Sequence, residues 1–169
     1  MARVTDEHIE ARKSQILDAA WQRFAREGYH RTTVEDIATE AGLSAGAIYR
    51  YFPGKEAVLR AIIDRTTERN AQLLEDVRAD TLEPVDVLQA VGRAMFGAFD
   101  DPVMEIHLRL DIELRGESLR NEALRQSLGK QLVFWRTSMT HLLKEAQRTG
   151  QLRADVDAKL FRRHAAPLG

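Results

Sequence analysis

The chain has 169 residues, 25 Lys or Arg against 26 Asp or Glu, and no cysteine, so it can bury a core without staples and forms no disulfide or thiolate metal site. A formal net charge of -1 gives no global signal for nucleic acid, and residues 1–60 carry nine basic against nine acidic side chains. No apolar run reaches the roughly 18 residues of a membrane span, and the opening MARVTDEHIEARK lacks the apolar stretch of a signal peptide, so a soluble cytoplasmic protein is expected.

Almost every segment carries a 3.6-residue apolar period, and an all-α fold follows from it. A first helix is expected over residues 8–27, with Ile16, Leu17, Ala20, Trp21 and Phe24 on one stripe and Gly28 as its stop. Thr33 with Asp36 three residues on reads as a capping box. Val34, Ile37, Ala38 and Ala41 then recur on one face until Gly42 supplies a left-handed stop. Gly42, Leu43 and Ser44 make a three-residue turn, and Ser44 is placed to cap a short helix over residues 45–52 that halts at Pro53 and Gly54. Ile48 and Phe52 face inward there, which leaves Ala45, Gly46, Ala47, Tyr49 and Arg50 on outward or flanking surfaces.

A long helix is expected from Lys55 to about residue 80, with Val58, Leu59, Ile62, Ile63, Leu73, Leu74 and Val77 in period. Pro84 opens a further helix reaching Asp100, and Asp101 with Pro102 restarts the chain as cap and first-turn proline of a helix to about Arg115. Ser118 is the expected cap of the longest remaining helix, over residues 118–148, where Leu124, Leu128, Leu132, Trp135, Met139, Leu142, Leu143 and Ala146 recur. Asp155 or Asp157 is then expected to cap a last short helix.

Two short helices with their stop signals in residues 33–55, TVEDIATEAGLSAGAIYRYFPGK, fit a helix-turn-helix. This segment resembles the tetracycline-repressor (TetR) family of bacterial regulators, in TTVEDIA, then AGLSAGAIY, then YRYF with a lysine shortly after. The resemblance spans roughly residues 9–68 and returns in GQLRADVD, residues 150–157. It implies a three-helix head at residues 1–54, a connecting helix at 55–79 and a helical body at 80–169 that encloses a small-molecule effector and forms a homodimer. It also implies a transcriptional regulator, a repressor released from a pseudopalindromic operator in double-stranded DNA.

The candidate DNA contacts divide by chemistry. Thr33 and Ser44 offer hydroxyls and helix-start amides to phosphate, although both are equally ordinary caps. Arg50 is the one long cation on the second short helix and suits a bidentate contact to guanine. The resemblance implies backbone contacts from Tyr49 and Tyr51 and a phosphate contact from Lys55. Ala45 and Ala47, where family members carry larger or polar side chains, leave methyl contacts to thymine but no base hydrogen bonds, with Gly46 between them. Phosphate affinity is expected from a few cations and helix N-termini, because only Arg50 and Lys55 are charged between residues 42 and 55.

For an effector the candidates are Met95, Phe99, Met104, His107, Leu110, Trp135 and Met139, apolar side chains with few polar ones among them. No metal site is expected, since neither His107 nor His141 has a partner at ligand spacing, and no cofactor is implied. Asp111 and Glu113 stand two apart on a helix and point in different directions, so no catalytic pair forms and an enzyme is not expected. The competing reading is a helical ligand-binding or interaction protein whose head no longer reads DNA. Residues 158–169, with Leu160, Phe161 and Leu168 as their large apolar side chains, cannot by themselves bury the roughly 1,200–2,000 Å² of a stable interface. Beside the longer C-terminal part that the resemblance implies, either a truncated or unusual family member whose dimer uses the 118–148 helix is expected, or a dimer so weak that operator DNA must help to assemble it.

Overall fold

The computed structural model describes residues 6–80, 83–96 and 102–156. Among these described residues seven helices follow in order: α1 Asp6–Glu27, α2 Val34–Ala41, α3 Ala45–Tyr49, α4 Lys55–Asp80, α5 Pro84–Phe96, α6 Pro102–Ser118 and α7 Glu122–Arg148. Among the described residues none of them is long and apolar enough to cross a membrane.

The compact units do not follow chain order. The first holds residues 6–65 together with 102–127, and the second holds 66–80, 83–96 and 128–156. In the first, Ile16, Leu17, Ala20 and Phe24 of α1 are buried with Ile37 and Ala38 of α2, Ile48 of α3, Val58, Leu59, Ile62 and Ile63 of α4, and Leu110 and Leu114 of α6. Polar ties brace this core. Gln15 donates to the Ala41 carbonyl at 2.7 Å, Arg65 pairs with Asp18 at 2.7 Å, and Arg23 and Arg26 both pair with Glu40. In the second unit Leu74, Val87, Val91 and Leu142 form the buried cluster, with Val77, Leu88, Phe134, Trp135 and Met139 packed against it.

The start and stop signals of α2 work as their chemistry requires. The Thr33 hydroxyl accepts from the Asp36 amide at 3.1 Å while the Asp36 carboxylate takes the Thr33 amide at 2.9 Å. Gly42, at φ 65°, closes the helix as Leu43 N–H reaches the Ala38 carbonyl at 2.9 Å and Gly42 N–H the Thr39 carbonyl at 3.1 Å. Ser44 caps α3 by accepting the Ala47 amide at 3.2 Å.

Four expectations need correction. The second short helix ends at Tyr49, not Phe52: the Tyr51 amide tightens onto the Ile48 carbonyl at 2.9 Å, and Pro53 disfavours helical backbone at the residue before it. The cap of α7 is Asn121, whose side-chain oxygen accepts the Leu124 amide at 3.0 Å; Ser118 instead closes α6 by donating to the Arg115 carbonyl at 2.7 Å. Leu73 and Leu132 are exposed, because each sits roughly 60–100° round its helix from neighbours that already fill the buried face, Leu74 and Trp135 among them. The α6 helix continues past Arg115 to Ser118. Residues 151–156 form turns; the last short helix expected after Asp155 or Asp157 lies outside the described residues, as do Asp100, Asp101 and Asp157.

Thr33 hydrogen bonds, first from its side chain and then from its backbone, hold the Asp36 carboxyl below its ordinary value. A depressed folded pKa means stabilisation that is complete above the unfolded value of about 3.9 and lost as pH falls through the lower folded value. Thr33→Ala is expected to cost about 1 kcal/mol near neutral pH, with a smaller gap from wild type in acid. Urea unfolding at about pH 7 and about pH 3 measures it; equal gaps would mean that the box does not titrate.

Candidate nucleic-acid interface

The face formed by the start of α2 and by α3 is open. Thr33, Ser44, Gly46 and Arg50 are exposed, while Ala45, Ala47 and Tyr51 are half-buried. Tyr49 is 52% exposed, the one exposed large apolar side chain on α1–α3 among the described residues. The reason is local. Ile48 is 0% exposed and anchors the helix, so the residues on either side of it turn outward. A Cβ built on Gly46 would have only the Ser44 hydroxyl at 4.0 Å near it, so this side of α3 is free of protein atoms. No carboxylate pairs with Arg50 among the described residues.

Lys55 has a different situation. Its ammonium donates to the carbonyls of Tyr29 at 2.8 Å, His30 at 3.4 Å and Thr32 at 2.8 Å, and stands 4.4 Å from the Tyr29 ring centre. An ammonium has three protons, so these carbonyls take all of them, and a phosphate would have to displace one. Burial pushes the Lys55 pKa down, and Glu117 and Glu56 oppose the shift. Burial likewise lifts the Tyr29 phenol to about 12, helped by Glu56 and Glu117.

The loop between α1 and α2, which leads into the open face, is therefore tied down by distant side chains that local sequence patterns do not point to. Thr32, 1% exposed, donates its hydroxyl to the Gly28 carbonyl at 2.8 Å. From α6, Glu113 accepts the Tyr29 amide at 2.7 Å and Arg109 donates to the Ala25 carbonyl at 2.7 Å. The available signal was the four-residue spacing of Arg109, Glu113 and Glu117, which places them in one row on a helix without naming what they face.

Of the effector candidates, Trp135 and Met139 lie together, half-buried against the second unit's cluster, and the Phe134 and Trp135 rings meet edge to face with centres 5.1 Å apart. Leu110 is 2% exposed in the core of the first unit. Met95 lies on α5, and Met104 and His107 lie on α6; their side chains, like all of Phe99, fall outside the described residues. On α7 a recess of ≈ 510 Å³ is lined by Arg136, Thr137, Thr140, His141 and Lys144, on the side of the helix turned away from Trp135, Leu142 and Ala146. No group of three or more metal-ligating side chains occurs among the described residues.

Residues 16–62 match the family model for bacterial regulatory proteins of the tetR family. The chain is 28% identical over 163 residues to the HTH-type transcriptional regulator TtgR of Pseudomonas putida, covering 94% of this chain and 77% of that one. It superposes on the fatty acid degradation regulator FadR of Bacillus halodurans with a TM-score of 0.74 at 29% identity, covering 88% of this chain and 75% of the other. A second solved structure, described as the molecular basis for control of antibiotic production by bacterial hormones, is 31% identical with a TM-score of 0.68 and covers 88% and 75% of the two chains. With the capped helix-turn-helix and this likeness over most of its length, the chain belongs to the tetracycline-repressor (TetR) family of DNA-binding transcriptional regulators.

Proposed function

We propose that the protein binds a pseudopalindromic operator as a homodimer, with α3 in the major groove, and acts as a repressor released by a small-molecule effector. Tyr49 carries this reading: 52% exposed on a helix whose other large side chain is fully buried, it has surface to lose only to a partner. Arg50 beside it presents a planar fork suited to guanine O6 and N7. Ser44 and Thr33 stand at helix starts, where amides and hydroxyls meet phosphate oxygens, although at Thr33 a phosphate must displace the Asp36 carboxylate that takes both protons; Tyr51 adds a phenol at the edge. Ala45, Gly46 and Ala47 let the backbone approach closely and leave direct base readout to few side chains. Two heads must serve half-sites about 34–36 Å apart. On this reading the dimer uses α7, where Leu132 and Val133 are 46% and 50% exposed.

Lys55 acts on DNA through the loop it holds, not by touching phosphate. The effector is an apolar or amphipathic molecule that reaches Trp135 and Met139. Two relatives described in terms of fatty acid degradation and bacterial hormones support that chemistry. Release needs an effector that favours one conformation of the dimer over another.

Three measurements test these assignments. Arg50→Ala is expected to cost about 1–3 kcal/mol on a site selected by the wild type from random duplexes, and to relax one base pair per half-site; equal losses on selected and random DNA would refute base reading. Lys55→Met should lower the melting temperature and weaken all duplexes while leaving the salt slope unchanged, whereas a lost phosphate contact would flatten it by about 0.9. In a Trp21→Phe variant Trp135 is the chain's remaining tryptophan. Its emission should shift on titration with palmitate as operator affinity falls. No shift with palmitate or with anilinonaphthalene sulfonate would remove the effector from this cluster.

A further inference from the structure

Three charged side chains of α6, Arg109, Glu113 and Glu117, stand four residues apart and so form one row along the helix. All three address the end of α1 and the loop that feeds α2. Arg109 donates to the Ala25 carbonyl at 2.7 Å, Glu113 Oε2 accepts the Tyr29 amide at 2.7 Å, and Glu117 Oε2 lies 3.7 Å from His30 Nε2. A Cβ on Gly28, which holds φ 86°, would stand 2.8 Å from Glu113 Oε1, so this carboxylate rests directly on the backbone where α1 stops.

That position is electrostatically awkward. The C-terminal end of a helix carries a partial negative charge that opposes a carboxylate. Glu113 therefore does not serve α1; it serves the one amide that follows, while Lys55 of α4 takes the carbonyls on the same loop. Beside the bond a cleft of ≈ 260 Å³, lined by Glu27, Gly28, His30, Arg31, Arg109 and Glu113, gives water access to compete for the amide. A hydrogen bond of 2.7 Å is lost by about 3.5 Å, so a displacement of α6 of roughly 1 Å breaks it.

We propose that Glu113 is a positioning residue for DNA recognition: by holding the Tyr29 amide it fixes the angle at which α2 and α3 leave α1. This rests on the DNA-binding reading above. It adds the contact through which the α6 position reaches α3.

The test compares the full wild-type chain with Glu113→Ala and Glu113→Gln on a duplex selected by the wild type and on random duplex, together with amide hydrogen exchange and melting temperature. Glu113→Ala is expected to weaken the selected duplex about tenfold and the random one less than about twofold. It should also speed Tyr29 amide exchange about tenfold while the Ile37 and Ile48 amides of α2 and α3 keep their protection. Glu113→Gln retains an acceptor oxygen and should recover most of both. The proposal is overturned by wild-type affinity in Glu113→Ala, by equal losses on both duplexes accompanied by a lower melting temperature, or by Glu113→Gln as weak as Glu113→Ala. If the wild type enriches no sequence, the DNA reading fails and this proposal falls with it; if it does and Glu113→Ala is indistinguishable, this proposal alone fails.

Discussion

The structure of the head depends on how the short loop between α1 and α2 satisfies its own backbone. A chain leaving one helix and entering another exposes carbonyls and amides that cannot be buried unpaired. Here the Lys55 ammonium takes the carbonyls of Tyr29, His30 and Thr32, the Thr32 hydroxyl takes that of Gly28, and Glu113 takes the Tyr29 amide. Two elements distant in sequence, α4 and α6, thus converge on residues 28–32, and Thr32 adds a bond from within the loop. Because Tyr29 is 3% exposed and packs edge to face on Phe24 with ring centres 5.4 Å apart, the loop is pinned to the core as well. Thr33 follows at once, so whatever fixes the loop also fixes the capping box and the direction of α2.

What was legible in the sequence was local. The capping box of Thr33 and Asp36, the Gly42 stop, the Ser44 cap and the inward Ile48 and Phe52 are interactions within a few residues, and periodicity with cap chemistry found each of them. The misreadings came where a distant or competing partner decided the outcome. Asn121 outcompeted Ser118 because the real start of α7 lies three residues later, a choice that two capping residue types three positions apart leave open. The bonds of Lys55 to carbonyls 23–26 residues away are likewise encoded by no local pattern. Glu113 is the extreme case, 84 residues from the amide it holds. Its charged row on α6 was visible in the sequence, but a row says only that side chains share a face.

The grouping of α6 with the head has the same origin. Chain order suggests a head followed by a body, yet residues 102–127 belong with residues 6–65. Leu110 and Leu114 are buried there, and Arg109 and Glu113 add directed bonds to the apolar contact. Apolar burial holds α6 in place without specifying its register to better than a side chain's width. The two hydrogen bonds to backbone do specify it, since they fail once donor and acceptor separate by about an ångström.

Charge explains how a nearly neutral chain still presents a cationic reading face. Most arginines of the head are engaged inside it: Arg23 and Arg26 with Glu40, Arg65 with Asp18, Arg31 with the Glu27 carbonyl, and Arg12 with Gln15. The Arg26 partner holds the Glu40 carboxyl below its ordinary range, which keeps that acid ionised and committed to its arginines. Internal pairing of this kind neutralises Glu40 where it sits, while Asp36 is held by the Thr33 amide and hydroxyl. Arg50 is left exposed, and α3 with its cap contributes hydroxyls, phenols and amides and no carboxylate of its own. The field at that face is then set mainly by one arginine and two helix starts.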